Sequence, residues 1–262
     1  MRRWAGLIGV ALGFFLASTA LSALSLSHQD TIRIGRKIWQ NECGGTVAGL
    51  TSWNSGENFA SLGIGHFIWY PEGLRGPFEE SFPSFVRFAQ EHGAKLPDFL
   101  LDERGQHCPW NSRAEFQAAT SNPRMNQLRT FLADTVGLQA DFLVERLRNA
   151  LPKMLAAVPA GERVKIEDNF NRLANRAHGC YALIDYVNFK GEGVLATERY
   201  AGRGWGLLQV LEGMSDESGA SPLAEFADSA ESVLRTRVQN APPARNEGRW
   251  LAGWLKRVST YR

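Results

Sequence analysis

Glu42 is the side chain whose type and setting most invite chemistry. It follows Ile38 and Trp39 on one face of a helical pattern, so its carboxyl is expected to face apolar surroundings. It also falls in the last turn before Gly44-Gly45, where unsatisfied carbonyls and the negative end of the helix dipole oppose a carboxylate. Both influences favour the protonated form. A carboxylic acid that keeps its proton near neutral pH can deliver it to a leaving oxygen. A helix-end Glu paired with an arginine, Arg36 or a distant one, is the plainer alternative.

Further candidates cluster in the next stretch, LTSWNSGENFASLGIGHFIW, residues 50–69. Glu57 could supply a second carboxylate from a turn, or could simply be solvated. Ser61 could hold a water through its hydroxyl, with Asn54 beside it, or form a buried structural hydrogen bond. His66, after Gly-Ile-Gly, could reach a ligand or serve as a structural hydrogen-bonding residue. Trp53, with Phe59, Trp69 and Tyr70, could offer aromatic faces to a ring-shaped ligand. Downstream, Glu192 lies between Gly191 and Gly193, where glycines allow a backbone to approach a ligand closely, and Asn188 could bridge helix and turn.

The elements that must position these residues are mostly helical. One helix is expected from Ser27 to Cys43, with Asp30 capping its start and Gly44-Gly45 ending it. Turn residues Asn54 to Asn58 between β-branched and aromatic runs predict a small hairpin over 50–69. Helices are then expected over 78–92, 112–119, 123–135, 140–156, 160–178, 181–188, 205–215, 223–239 and 247–260. The segment 200–209 is rich in glycine and aromatics but lacks the Lys-Ser/Thr of a phosphate loop. The fold class is therefore mostly α, an α+β layout with one minor hairpin.

A helix-end Glu followed by a hairpin closing on Ser61-Leu-Gly-Ile-Gly-His66 resembles the catalytic region of phage-type lysozymes and endolysins, glycoside hydrolase family 24. The stretch from Ala182 to Gly193 is similar to that family's later helix and following turn, and Arg245 to Leu255 to its Arg-rich closing helix. The resemblance implies a lysozyme-like superfamily domain over 24–262, with 70–175 as a family-atypical helical insertion. It implies cleavage of β-1,4 N-acetylmuramoyl/N-acetylglucosamine linkages in peptidoglycan, or of a chitin-like polymer, with Glu42 as general acid. Glu57 and Ser61 would complete the catalytic set, and Trp53, Asn54, His66, Asn188 and Glu192 would contact substrate. The family's hairpin Asp has no counterpart, since Ser55 or Asn54 stands at its place. Lytic transglycosylases manage with one Glu, so a muramidase and a transglycosylase outcome both stay open. So do a non-catalytic cell-wall-binding module and an envelope inhibitor or assembly factor.

The remaining sequence bounds these readings. Met1-Arg2-Arg3, an uncharged run from Trp4 and small residues near Ala20 and Ala23 predict a cleavable signal peptide over 1–23, with periplasmic or secreted delivery. An uncleaved anchor is the alternative. Of 29 Lys and Arg, two lie in that leader, and the remaining 27 face 27 Asp and Glu, which gives no electrostatic case for nucleic acid. No later stretch is apolar enough to span a bilayer. Cys43, Cys108 and Cys180 lack zinc spacing, and no cofactor or metal is expected. Export makes one disulfide an expectation, with Cys43–Cys108 the candidate pair.

Overall fold

The computed structural model describes residues 26–76, 78–101, 107–215 and 221–262. The expected signal peptide falls outside them. Helix α1 (His28–Cys43) begins where Ser27 accepts a hydrogen bond from the Asp30 amide at 3.1 Å. Ser27, rather than the expected Asp30, is thus the cap. Asp30 sits in the first turn, where its charge complements the dipole. The helix stops at Gly44, whose φ of 61° is the left-handed conformation that glycine adopts without penalty.

The buried stripe of α1 (Thr31, Ile34, Gly35, Ile38) packs against α6 (Val136–Ala156). A Cβ on Gly35 would stand 2.8 Å from Ala140 Cβ, so the glycine lets the two helices approach closely. Ile38 is fully buried in this contact, and its truncation to Ala would cost about 2–5 kcal/mol.

After α1 the chain forms a three-stranded antiparallel sheet, not the single hairpin expected. Strands β1 (Thr51–Ser52), β2 (Ala60–Leu62) and β3 (Phe67–Trp69) pair in that order. Ser61 faces Ser52 across one ladder and Ile68 across the other. Alternation along β3 sends Phe67 and Trp69 into the core, where Phe67 stacks on Phe85 of α2 (Phe82–Glu91) at 5.0 Å. Helices α3 (Asp98–Leu101), α4 (Arg113–Ala118) and α5 (Pro123–Asp134) lead into α6. Arg113 Nε donates to the Trp53 carbonyl at 2.9 Å and Arg129 Nε to Thr51 Oγ1 at 2.9 Å, fastening the β1 edge.

The second half is helical apart from one short ribbon. The break expected between helices over 160–178 and 181–188 falls earlier, between α7 (Ala160–Ala174) and α8 (Ala177–Lys190). At that corner a Cβ on Gly179 would lie 2.0 Å from the Leu173 carbonyl oxygen, so only glycine permits the sharp join. Strands β4 (Arg199–Tyr200) and β5 (Arg203–Gly204) form a two-stranded ribbon before α9 (Leu207–Gly213). Helix α10 (Pro222–Asn240) is tied to α7 by Arg172, which grips buried Glu225 through two nitrogens at 2.9 and 2.8 Å. Helix α11 (Gly248–Val258) packs on α10 and ends in a 3-10 turn, Ser259–Tyr261. The architecture is mostly α with a small antiparallel sheet. No helix among the described residues is long and apolar enough to cross a membrane.

Candidate functional site

Glu42 stands at the end of α1 between the β2–β3 turn and α11. Its Oε1 accepts from Arg257 Nη2, and its Oε2 lies 3.6 Å from His66 Nδ1. The side chain is 11% exposed. The purely apolar surroundings expected for this carboxyl are therefore corrected: one oxygen is claimed by a guanidinium 215 positions away in the chain. The distant arginine that the sequence leaves open as a partner is supplied by α11.

Arg257 is shared. Its Nε donates to Asp185 Oδ2 and its Nη2 to Asp185 Oδ1, each at 2.8 Å, and Tyr261 Oη donates to Asp185 Oδ2 at 2.6 Å. Asp185 is fully buried in α8. Burial opposes the charge on Arg257, but the hydrogen bonds and charge of Asp185, helped by Glu42, outweigh it and raise the guanidinium's pKa. The Tyr261 hydroxyl is pushed well above its ordinary range by burial and by Asp185. Nη2 alone bridges the two carboxylates, so Arg257 fixes Glu42 through Oε1 and leaves Oε2 facing His66.

The Gly-Ile-Gly-His turn explains how His66 arrives there. Gly63 has φ 68°, and a Cβ on it would lie 2.3 Å from Gln139 Oε1. That same oxygen accepts the Ile64 amide at 2.8 Å, so buried Gln139 of α6 clamps the turn. A Cβ on Gly65 would meet the Phe67 ring at 2.5 Å. His66 itself takes φ 48°, an uncommon conformation for a residue with a Cβ. The motif's two glycines thus fit the turn against the core and present His66 to Glu42.

The other candidates separate from this pair. Glu57 is half-buried in the β1–β2 turn, where its carboxylate accepts from Asn54 Nδ2 at 3.1 Å. Asn54 and Glu57 therefore meet each other. Ser61 is buried in the central strand. Trp53, expected to offer a face to a ligand, is corrected to a strut: it is 6% exposed, edge-on to Phe116, and its Nε1 donates to the Glu57 carbonyl at 2.8 Å. Phe59, Trp69 and Tyr70 are buried likewise. Glu192 pairs with Lys153 at 2.8 Å. The glycines around it serve local packing, since a Cβ on Gly191 would fall on the Glu198 carboxylate and one on Gly193 would lie 2.2 Å from Gln209 Oε1 and 3.0 Å from Gly206 Cα. Asn188 is half-buried near the end of α8.

A second set of residues adjoins Glu42 that the sequence reading did not single out. Arg257 lies over the Phe189 ring at 4.2 Å, and Lys190 Nζ lies 3.8 Å from the Phe189 ring centre and 3.4 Å from that of Trp254. Arg237 follows, 5.0 Å from Trp254 and 4.1 Å from Trp205, with its guanidinium bound to Glu247 at 2.8 and 2.9 Å. Burial, then repulsion from Arg237, lowers Lys190 to about 6, even with Glu247 and Glu42 pulling it up. The legible signal was Asp185 inside the apolar run Ala182–Tyr186, since an acid there needs a buried partner.

The cysteines carry no disulfide. Cys43, Cys108 and Cys180 are all free and buried, which corrects the expected Cys43–Cys108 bridge. Burial pushes Cys43 and Cys108 up to about 12 and Cys180 to about 11, so none is a ready nucleophile. Among the described residues no cluster of His, Cys, Asp or Glu is arranged to hold a metal ion. Compared with protein-family models, with curated proteins and with solved structures, the chain gives no match.

Proposed function

We propose that the chain is an exported glycan-cleaving enzyme acting on peptidoglycan, with Glu42 as its general acid. The observation that carries this reading is the two-sided hold on one helix-end carboxyl. Arg257 fixes Oε1, while Oε2 is directed toward the Gly-Ile-Gly-His turn. In the proposed step Oε2 gives its proton to the glycosidic oxygen as the bond to the anomeric carbon breaks. The resulting carboxylate then takes a proton from the attacking group. Without a hairpin Asp, the attacker is either a water or a hydroxyl of the same sugar, which would close a 1,6-anhydro ring. Asp185 and Tyr261 position Arg257, and Arg257 positions Glu42.

Purified sacculi incubated with wild type and Glu42→Gln test this. Soluble muropeptides are expected from wild type, with at least about a hundredfold less from the variant, as for loss of an acid–base group. Equal release from both above the blank would remove Glu42 from the chemistry.

A second reading, a non-catalytic cell-wall-binding module, draws on the fact that Glu42, Asp185 and Glu247 are each engaged by an arginine. Sacculus pull-down with retained binding and no released product would favour it.

A further inference from the structure

Helix α11 leads from Glu42 out to the surface. Trp250, Trp254 and Arg257 are spaced four and three residues apart, so they fall on one stripe of the helix. At the inner end Arg257 holds the Glu42 carboxyl. Trp250 stands at the outer end, about 10 Å along the axis. Exposure rises along the stripe: the Arg257 side chain is 17% exposed, Trp254 is half-buried and Trp250 is 42% exposed. Among the described residues no other tryptophan is exposed.

The stripe is a continuous aromatic surface. The Trp250 and Trp254 rings are 6.0 Å apart and only 32° from parallel, and Trp254 meets Phe189, the ring under Arg257, at 6.4 Å. Each indole is braced by a cation, Lys190 at 3.4 Å from Trp254 and Arg249 at 4.3 Å from Trp250. A Cβ on Gly253, beside the two rings, would meet nothing within 4 Å, so the ground next to them is open. The surroundings carry one sign of charge. Arg245, Arg249 and Lys256 are exposed, and from Gly248 to Arg262 the chain has no acid.

We infer that Trp250 and Trp254 form a glycan-binding platform, on which sugar rings of a peptidoglycan strand stack as it runs outward from Glu42. The inference deepens the glycan reading and rests on it for the occupant. The platform is joined to the Glu42 site through Arg257 and Phe189, and rigid indoles offer the flat apolar face that a pyranose ring covers. Arg245, Arg249 and Lys256 complement the free carboxylates of the stem peptides.

The probes are chitohexaose, which is uncharged, and purified sacculi. Calorimetric titration in a Glu42→Gln background, where no sugar is consumed, reads chitohexaose affinity. Adding Trp250→Ala is expected to weaken it at least about tenfold, and Trp250→Phe to restore most of it, with an unchanged melting temperature because the side chain is exposed. Arg245→Gln with Lys256→Gln should lower retention on sacculi and leave chitohexaose binding as it was. Equal chitohexaose affinity with and without Trp250 overturns the inference. So does retention on phosphatidylglycerol vesicles that needs Trp250 while chitohexaose binding does not, which would assign the face to a lipid surface. Binding that needs Trp250, with no bond cut by wild type, fails the catalytic reading alone. Cleavage that needs Glu42, with W250A binding chitohexaose as wild type does, fails this inference alone.

Discussion

Replacing Asp185 by Asn removes a charge from the centre of the site while keeping the side chain's size. Asp185 is fully buried and accepts three hydrogen bonds, two from Arg257 at 2.8 Å and one from Tyr261 at 2.6 Å. An asparagine offers one acceptor oxygen, and in either orientation its amide faces a guanidinium N–H, which cannot accept. Arg257 would then be a largely buried cation with Glu42 as its remaining anion. Breaking a buried pair from one side costs about 3–5 kcal/mol, and the surviving Glu42 contact argues for the lower end, about 3 kcal/mol. For a chain of this size each kcal/mol moves the melting temperature by about 2–4 °C, so a fall of about 6–12 °C is expected. Thermal unfolding followed by circular dichroism near pH 7 reads it directly. Adding Arg257→Met to the variant should cost much less than Arg257→Met alone, because the two residues act as one unit. A fall below about 2 °C for Asp185→Asn, or additive single and double variants, would refute the claim that Asp185 anchors Arg257.

Three other outcomes follow from the same geometry. Gly63→Ala forces a Cβ into Gln139 Oε1 at φ 68° and should cost at least about 1–3 kcal/mol, with sacculus cleavage falling as His66 shifts; an unchanged urea midpoint would contradict the clamp. Lys190, lowered to about 6 when folded and near 10.4 when unfolded, leaves the unfolded chain holding one more proton between those values. Stability from this group therefore rises with pH across that window, by about 1.4 kcal/mol per unit, and urea midpoints at about pH 7 and 8.5 should differ less in K190M than in wild type. The three thiols should resist a disulfide-exchange reagent near pH 8 in the folded protein and react after unfolding, with no effect of reductant on melting; rapid labelling of the native chain would contradict their burial.

The legible parts of this molecule were those set by neighbouring residues. Gly44-Gly45 marked the end of α1 because only a left-handed residue closes that helix, and the glycines before His66 marked a turn. Ser27 and Asp30, three positions apart, both suit a helix start, and only the backbone angles separate them. Strand β1 is two residues long, too short for any alternation to show, so a three-stranded sheet looked like a hairpin. The β4–β5 ribbon was hidden for the same reason. The aromatics around the sheet suggested ligand faces, but Trp53 and Trp69 are core because α2 and α4 cover them, a contact no local pattern reveals. Glu42 drew notice through its helix position. Its pairing with Arg257 depends on α11 returning to α1, and the tryptophans of α11 became conspicuous only once that return was known.

The most direct test of the account is the chemistry at the cut bond. Sacculi digested by wild type in isotopically labelled water, with the fragments weighed by mass spectrometry, report whether a glycosidic bond breaks and what attacks it. The account predicts new chain ends made by wild type and not by a folded Glu42→Gln protein. Those ends carry the label if water attacks, or lack one water's mass as 1,6-anhydro sugars if the sugar's own hydroxyl does. New ends appearing equally with Glu42→Gln, or no new ends from wild type that binds the sacculi, would contradict it.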